Sequence, residues 1–250
     1  MIIESRANER VKEARKLLLR KERKESGLHL IESEKLVREA VTSGAKIVSC
    51  FLEEGFAFTP PEGAIMYTVT RAVLESLCES QTPQGIVAVV QTPDLTPPDV
   101  YPDGLVVVLD GVQDPGNVGA IVRSADAFGA VGLLVSPACA DVFAPKTLRA
   151  AMGSTYHLSI WQGELLPELI KLRGQGFTAL CGDLKGSETL PALAANVALV
   201  IGSEGSGVSE AVADACERFR LTMHGRAESL NASVAAGVLL YVVSAAMPRE

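Results

Sequence analysis

Five apolar residues in a row, Leu105–Leu109, run straight into a Gly/Pro-rich loop and then into a helical pattern that ends at Gly129. That order reads as a parallel strand buried on both faces, a loop and a covering helix. In open α/β sheets a ligand sits outside the C-terminal ends of such strands, so the loop 110–117 is a candidate binding element. The helix is expected to open with Asn117 as N-cap and to bury Val118, Ile121, Val122, Ala125 and Phe128. Arg123 falls off that stripe, so a cation is expected above the loop.

Alternating strand and helix signals continue to the C-terminus. Strands are expected at Gly132–Val135, Tyr156–Ile160, Thr178–Asp183, Ala198–Ile201 and Phe219–Thr222. The helices expected are Asn117–Phe128, Pro145–Met152, Leu165–Leu172, about 207–216 and Asn231–Ala246. This is an α/β pattern with a mainly parallel sheet. In front lies a smaller α/β unit with a helix over 8–24, another at Lys35–Thr42 and a short one at Ala72–Ser80. Its strands are expected at Ile47–Leu52, Ala64–Val69 and Ile86–Gln91. Between the halves, 92–103 carries four prolines in twelve residues, which suit neither a helix nor a central strand. The organisation expected is therefore 1–91, a Pro-rich linker 92–103, and 104–250.

Composition narrows the function classes. No signal-peptide order opens the chain, and the uncharged span Ser229–Pro248 is rich in small residues and serines, as a buried helix is. The five cysteines form no Cys-x-x-Cys pair, and the three histidines are dispersed, so no metal site is expected and a cytoplasmic, reducing location is. Net charge is −7, but residues 1–25 hold nine Lys/Arg against five Asp/Glu. Arg15, Lys16 and Arg20 in that segment are candidate phosphate contacts, against the plain reading of a solvated helix face.

Two further loops follow strands. Gly202, Gly205 and Gly207 give G-x-x-G-x-G, which is not the dinucleotide fingerprint G-x-G-x-x-G, and no P-loop occurs. Glu204 inside this loop disfavours a pyrophosphate and tolerates a neutral or cationic ligand. The third loop brings Glu228, Ser229 and Asn231 to a helix start, where Ser and Asn are also ordinary caps.

In order, the three loops read Asp114-Pro-x-Asn117-x-Gly119-x-x-x-Arg123-x-Ala125, Ile201-Gly-Ser-Glu204-Gly-x-Gly207 and Glu228-Ser229-Leu230-Asn231-x-Ser233-x-Ala235. Together they resemble the SpoU-type RNA ribose 2′-O-methyltransferases of the SPOUT superfamily, over essentially the whole chain. The front half is similar to the ribosomal-protein-like substrate-binding unit of such enzymes. Ile31-Glu32-Ser33 departs from the family's frequent Glu-Gly pair, and Ala151 stands where Ser is common.

The resemblance implies S-adenosylmethionine as methyl donor and an RNA ribose 2′-hydroxyl as acceptor, ribosomal RNA being favoured over transfer RNA. It implies a deep trefoil knot in the C-terminal unit and a homodimer whose site draws on both copies. Implied cofactor contacts are Gly182, Ile201, Gly202, Leu221, Leu230 and Ser233. Implied catalytic residues are Asn117, Arg123, Glu204, Ser229 and Asn231. A guanidinium stays protonated, so Arg123 suits stabilisation of a developing alkoxide. A dinucleotide-dependent oxidoreductase and a catalytically silent RNA-binding protein are the competing readings.

Overall fold

The structure, a computed structural model, describes residues 2–80 and 83–248. It divides into two compact units, Met1–Pro93 with Asp141–His157, and Asp94–Ala140 with Leu158–Glu250.

The first unit carries strands β1 (Ile2–Ile3), β2 (Leu28–Glu32), β3 (Ile47–Glu53), β4 (Ile65–Val69) and β5 (Ile86–Gln91). They form one mixed sheet in the order β1-β4-β3-β5-β2. Helices α1 (Glu9–Lys16), α2 (Arg20–Ser26), α3 (Glu34–Thr42) and α4 (Arg71–Glu75) belong to the same unit. The single helix expected over 8–24 is therefore two. The buried Arg23 guanidinium donates from Nη1 to the carbonyls of Leu17 (2.8 Å) and Leu18 (2.9 Å) and from Nε to Asp141 Oδ2 (2.7 Å). Those carbonyls take a side-chain donor where a continuous helix would use backbone N–H groups. Arg23 is thus structural, whereas Arg15 and Arg20 are exposed and Lys16 is exposed beside Glu13.

The sequence pattern does not mark edge strand β2. It buries His29 completely, with Nδ1 3.0 Å from Thr92 Oγ1 and Nε2 2.8 Å from Tyr156 Oη. Burial, reinforced by the Arg23 charge, pushes the His29 pKa down to about 3, so the ring is neutral in the folded chain. The unfolded chain takes up that proton near the ordinary pKa of about 6.5. Stability from this site is complete above that value and is lost as pH falls through it toward 3. Relative to His29→Gln, the native chain is expected to lose about 1.5 kcal/mol between pH 6.5 and 5, the slope rising toward ~1.4 kcal/mol per pH unit below the ordinary pKa. Urea unfolding midpoints across that range measure it, and parallel slopes for the two proteins would refute the assignment.

The second unit holds β6 (Leu105–Asp110), α5 (Pro115–Ala127) and β7 (Ala130–Val135). After helix α6 (Pro145–Ala151), which packs with the first unit, come β8 (Ser159–Gln162), α7 (Leu165–Gly174), β9 (Thr178–Ser187), β10 (Val197–Gly202), α8 (Glu210–Ala213), β11 (Glu217–Phe219) and α9 (Ala232–Ala246). The six strands lie in the order β11-β9-β10-β6-β7-β8, and every described pairing is parallel. Val106, Val107 and Val108 are wholly buried, as a strand covered on both faces requires.

Several boundaries shift. Residues 154–156 form a 3-10 turn ahead of β8, and the helix expected over 207–216 shrinks to α8. The strand expected at Phe219–Thr222 ends at Phe219, because β11 pairs only with β9 and its register breaks at Arg218/Phe219. The Pro-rich stretch is irregular, yet from Asp94 it packs into the second unit. Leu95 O accepts from Gln162 N (2.7 Å), Asp99 O accepts from Gln175 Nε2 (2.9 Å), and buried Tyr101 donates to Glu168 Oε2 (2.7 Å).

Candidate active site

Strand order places the site. From β6 the chain proceeds outward to β7 and β8, then returns to build β9 and β10 on the other side. The reversal falls between β6 and β10, where an open sheet offers a crevice. Their register pairs Ile201 with Leu109 and Gly202 with Asp110, so both loops leave the sheet at one level. Asp110 Oδ2 accepts from Ser209 N (2.8 Å), tying one loop to the other.

A cleft of about 430 Å³ opens at this end of the sheet. Its lining includes Gly182, Ile201, Gly202, Leu221 and Leu230, all expected as cofactor contacts, together with Glu204 and Ser229. Ser233 lies off the lining; its hydroxyl and amide both donate to Asn231 Oδ1, at 2.7 and 2.9 Å.

The glycine loop is held shut on itself. Ser203 N donates to Gly207 O and Gly207 N to Ser203 O, both at 3.0 Å. Gly207 has a positive φ of 68°, which side chains disfavour. A Cβ on Gly202 would come within 2.0 Å of the Gly207 carbonyl carbon. On the neighbouring strand, a Cβ on Gly182 would meet Leu239 of α9 at 2.6 Å.

Asn117 does not cap α5. Asp114 is the N-cap, its Oδ1 accepting from Asn117 N (2.9 Å), and Pro115 takes the first helical position, where its fixed φ and missing N–H cost nothing. That start releases the Asn117 side chain. Its Nδ2 donates to Glu204 Oε1 (2.5 Å), and its Oδ1 accepts from Asn231 Nδ2 (3.1 Å). Asn231 in turn caps α9 through Ser233 N and Val234 N. One residue from each of the three loops is therefore joined in a chain, Glu204–Asn117–Asn231, reaching the cleft through Glu204.

α9 lies along α5. Besides the Asn117–Asn231 bond, the Phe128 and Tyr241 rings are 6.0 Å apart. Arg123, on α5, is exposed, is absent from the cleft lining, and makes no hydrogen bond or ion pair among the described residues. The salt bridge to Asp126 that its spacing allows is not formed.

The motifs did not point to Asp183, Lys185, Glu210 and Arg220, which also line the cleft. Arg218 gathers the carboxylates on this side, donating to Asp183 (3.0 Å), Asp214 (2.6 Å) and Glu210 (3.2 Å). Hydrogen bonds from Arg218 and Lys185 hold the Glu210 carboxyl below its usual range. The one available signal was position: Asp183 follows Gly182 near the exit of β9. His224 is absent from the lining, and no group of His, Cys, Asp and Glu suited to a metal ion occurs among the described residues. No helix among those residues is long and apolar enough to cross a membrane.

Residues 104–241 match the SpoU rRNA Methylase family, and residues 8–88 match the MRM3-like substrate binding domain. The chain is 34% identical over 245 residues to the 23S rRNA (guanosine(2553)-2′-O)-methyltransferase RlmP of Bacillus subtilis, covering 96% of this chain and 97% of the relative. Among solved structures it resembles an AdoMet-bound rRNA methyltransferase from Sinorhizobium meliloti (TM-score 0.88, 28% identity, 100% and 99% of the two chains). It also resembles the SpoU methyltransferase AviRb from Streptomyces viridochromogenes in complex with AdoMet (TM-score 0.84, 28% identity, 95% and 97%). With the three loop motifs meeting at one crevice and a family match over more than half its length, the chain belongs to the SpoU rRNA methylase family.

Proposed function

We propose that the chain transfers a methyl group from S-adenosylmethionine to a ribose 2′-hydroxyl of ribosomal RNA, working in the cytoplasm. The observation that carries this reading is the linked chain Glu204–Asn117–Asn231 at the mouth of a cleft whose walls suit that cofactor. Leu221, Leu230 and Ile201 offer apolar faces to an adenine, while the backbone at Gly182 and Gly202 offers carbonyls and amides at close range. Glu204, which has no ion pair among the described residues, disfavours a phosphate beside the glycine loop and tolerates a cationic ligand. When bound, the cofactor supplies a methyl group already activated on a sulfonium.

The chain's own residues then position the acceptor and manage its proton. Asn117 and Asn231 fix the Glu204 carboxylate at the cleft, and Ser229 adds a hydroxyl there. Glu204 accepts the proton, directly or through Ser229. Arg123 holds the adjacent phosphate and stabilises charge on the attacking oxygen. Arg15, Lys16 and Arg20 grip RNA phosphates elsewhere on the strand.

Because Arg123 does not line its own cleft, the reading includes a homodimer in which Arg123 serves the partner copy. Support comes from α9, which leaves Val234, Val238 and Tyr241 exposed at 53%, 40% and 63%. These residues recur every three or four positions, an apolar stripe that a second copy covers. The C-terminal unit is read as a trefoil knot, with α9 threaded through an earlier loop.

The test is transfer of tritiated methyl from S-adenosylmethionine to ribosomal RNA and, separately, to transfer RNA, both from cells lacking this protein. A labelled 2′-O-methyl nucleoside in ribosomal RNA alone is expected. Label in transfer RNA alone replaces the substrate. Cofactor binding without transfer to either points to another RNA or an assembly intermediate as substrate, and neither transfer nor cofactor binding favours the silent RNA-binding reading.

A further inference from the structure

The first unit holds a second cavity, of about 330 Å³, at the end of β2. Three observations single it out. Glu32 lines it and is 5% exposed, and its Oε2 is buried with no hydrogen-bond partner among the described residues. A carboxylate oxygen left in that state is costly, so native chains keep one where water, an ion or a ligand brings the donor. The other oxygen, Oε1, is already engaged by Glu79 N (2.9 Å) and Arg149 Nη1 (3.2 Å), which fixes the carboxylate plane. Finally, Ser33 (φ 86°) and Met152 (φ 56°) are the described non-glycine residues with positive φ, and both line this cavity. Ser33, with ψ 144°, occupies backbone space close to that reserved for glycine. Such strain collects at ligand sites.

The remaining lining fixes the ligand's character. Leu36 and Leu148 are buried and apolar, and Met152, 47% exposed, stands at the mouth with a thioether suited to an aromatic face. Lys35 is exposed at the rim and makes no ion pair among the described residues. The occupant is thus flat, carries N–H donors at one edge and has an anion attached.

We infer that this cavity takes an unpaired guanine of the RNA, its Watson–Crick edge on Glu32 Oε2 and its phosphate at Lys35. One carboxylate oxygen offers two lone pairs. Of the four bases, guanine alone presents N–H donors on two adjacent nitrogens of that edge. The inference rests on RNA being the substrate. The base read here is a different nucleotide from the one methylated, since the cleft lies in the other unit.

The test is binding of fluorescein-labelled single-stranded RNA nonamers to the full chain, uridine throughout except for a central guanosine, inosine or adenosine. The guanosine strand is expected to bind about tenfold more tightly than the others, the discrimination of one good base contact. Glu32→Gln is expected to erase the preference, with the circular dichroism spectrum and the urea unfolding transition checking that the first unit remains folded. Lys35→Glu, an exposed change, is expected to weaken all three strands and lower the salt slope by about one while keeping the guanosine preference. Equal affinity for the three strands overturns the inference and leaves the cavity to a buried water. Affinities untouched by Lys35→Glu overturn it as well. Methyl transfer to ribosomal RNA, run in parallel, separates the two readings: transfer with base-blind binding fails this inference alone, and no transfer fails the proposed function.

Discussion

Arg123→Ala is expected to cut methyl transfer by about 10²–10³-fold, the usual effect of removing one preorganised stabiliser of developing charge, while cofactor affinity stays unchanged. Arg123 is an exposed cation on α5 with no ion pair among the described residues, so its removal leaves no buried partner stranded and the fold should persist. Lys at this position is expected to recover only part of the rate, because an ammonium lacks the fork that grips a phosphate oxygen pair. The stronger test mixes chains. If Arg123 serves the partner copy, an Arg123→Ala chain combined with one that cannot bind cofactor rebuilds one intact site per mixed dimer, and activity returns. If Arg123 serves its own cleft, the mixture stays inactive. Full activity in Arg123→Ala alone removes it from catalysis.

The same residue shows what the sequence could disclose. Its place off the buried stripe of α5 follows from helical periodicity, and Val118, Ile121, Val122 and Ala125 are indeed wholly buried. Uninterrupted apolar runs likewise announced β6 and β10, because a strand covered on both faces has no polar alternation to confuse it. What periodicity does not contain are contacts between distant segments. The break between α1 and α2 depends on Arg23 reaching Asp141, 118 positions away. Strand β2 is short and lies at an edge, and His29 within it is held by Thr92 and Tyr156.

The cap of α5 is ambiguous in sequence because Asp114 and Asn117 are both good capping types. Pro115 decides between them: it fits the first helical position, which makes Asp114 the cap and turns Asn117 toward Glu204. The site's residue types were thus legible as three motifs, but their linkage was not. Nor could spacing show that Arg123 stands apart from the cleft, or that Ser233 spends its hydroxyl on Asn231.

Gly202→Ala is expected to abolish measurable binding of S-adenosylmethionine, and Gly205→Ala to leave it near normal. The two glycines sit three residues apart in one loop, yet they face opposite circumstances. A methyl at Gly202 would lie 2.0 Å from the Gly207 carbonyl carbon and 2.1 Å from Val208 N, both backbone atoms that no rotamer change can move. Relief requires opening the loop, which breaks the paired Ser203–Gly207 bonds and shifts Glu204 away from Asn117. Overpacking of this kind costs about 1–3 kcal/mol where the surroundings yield, so a lower melting temperature is expected alongside the lost binding. At Gly205 nothing lies within 4 Å and φ is not positive, so the added methyl meets open space. Calorimetric titration of the two variants separates a loop whose shape makes the cleft from one that is merely glycine-rich. Equal binding by both would mean that the closed glycine loop has no part in holding the cofactor. Loss at Gly202 alone ties the cofactor to the crevice between β6 and β10, and it supplies the cofactor-dead chain that the mixed-dimer test of Arg123 requires.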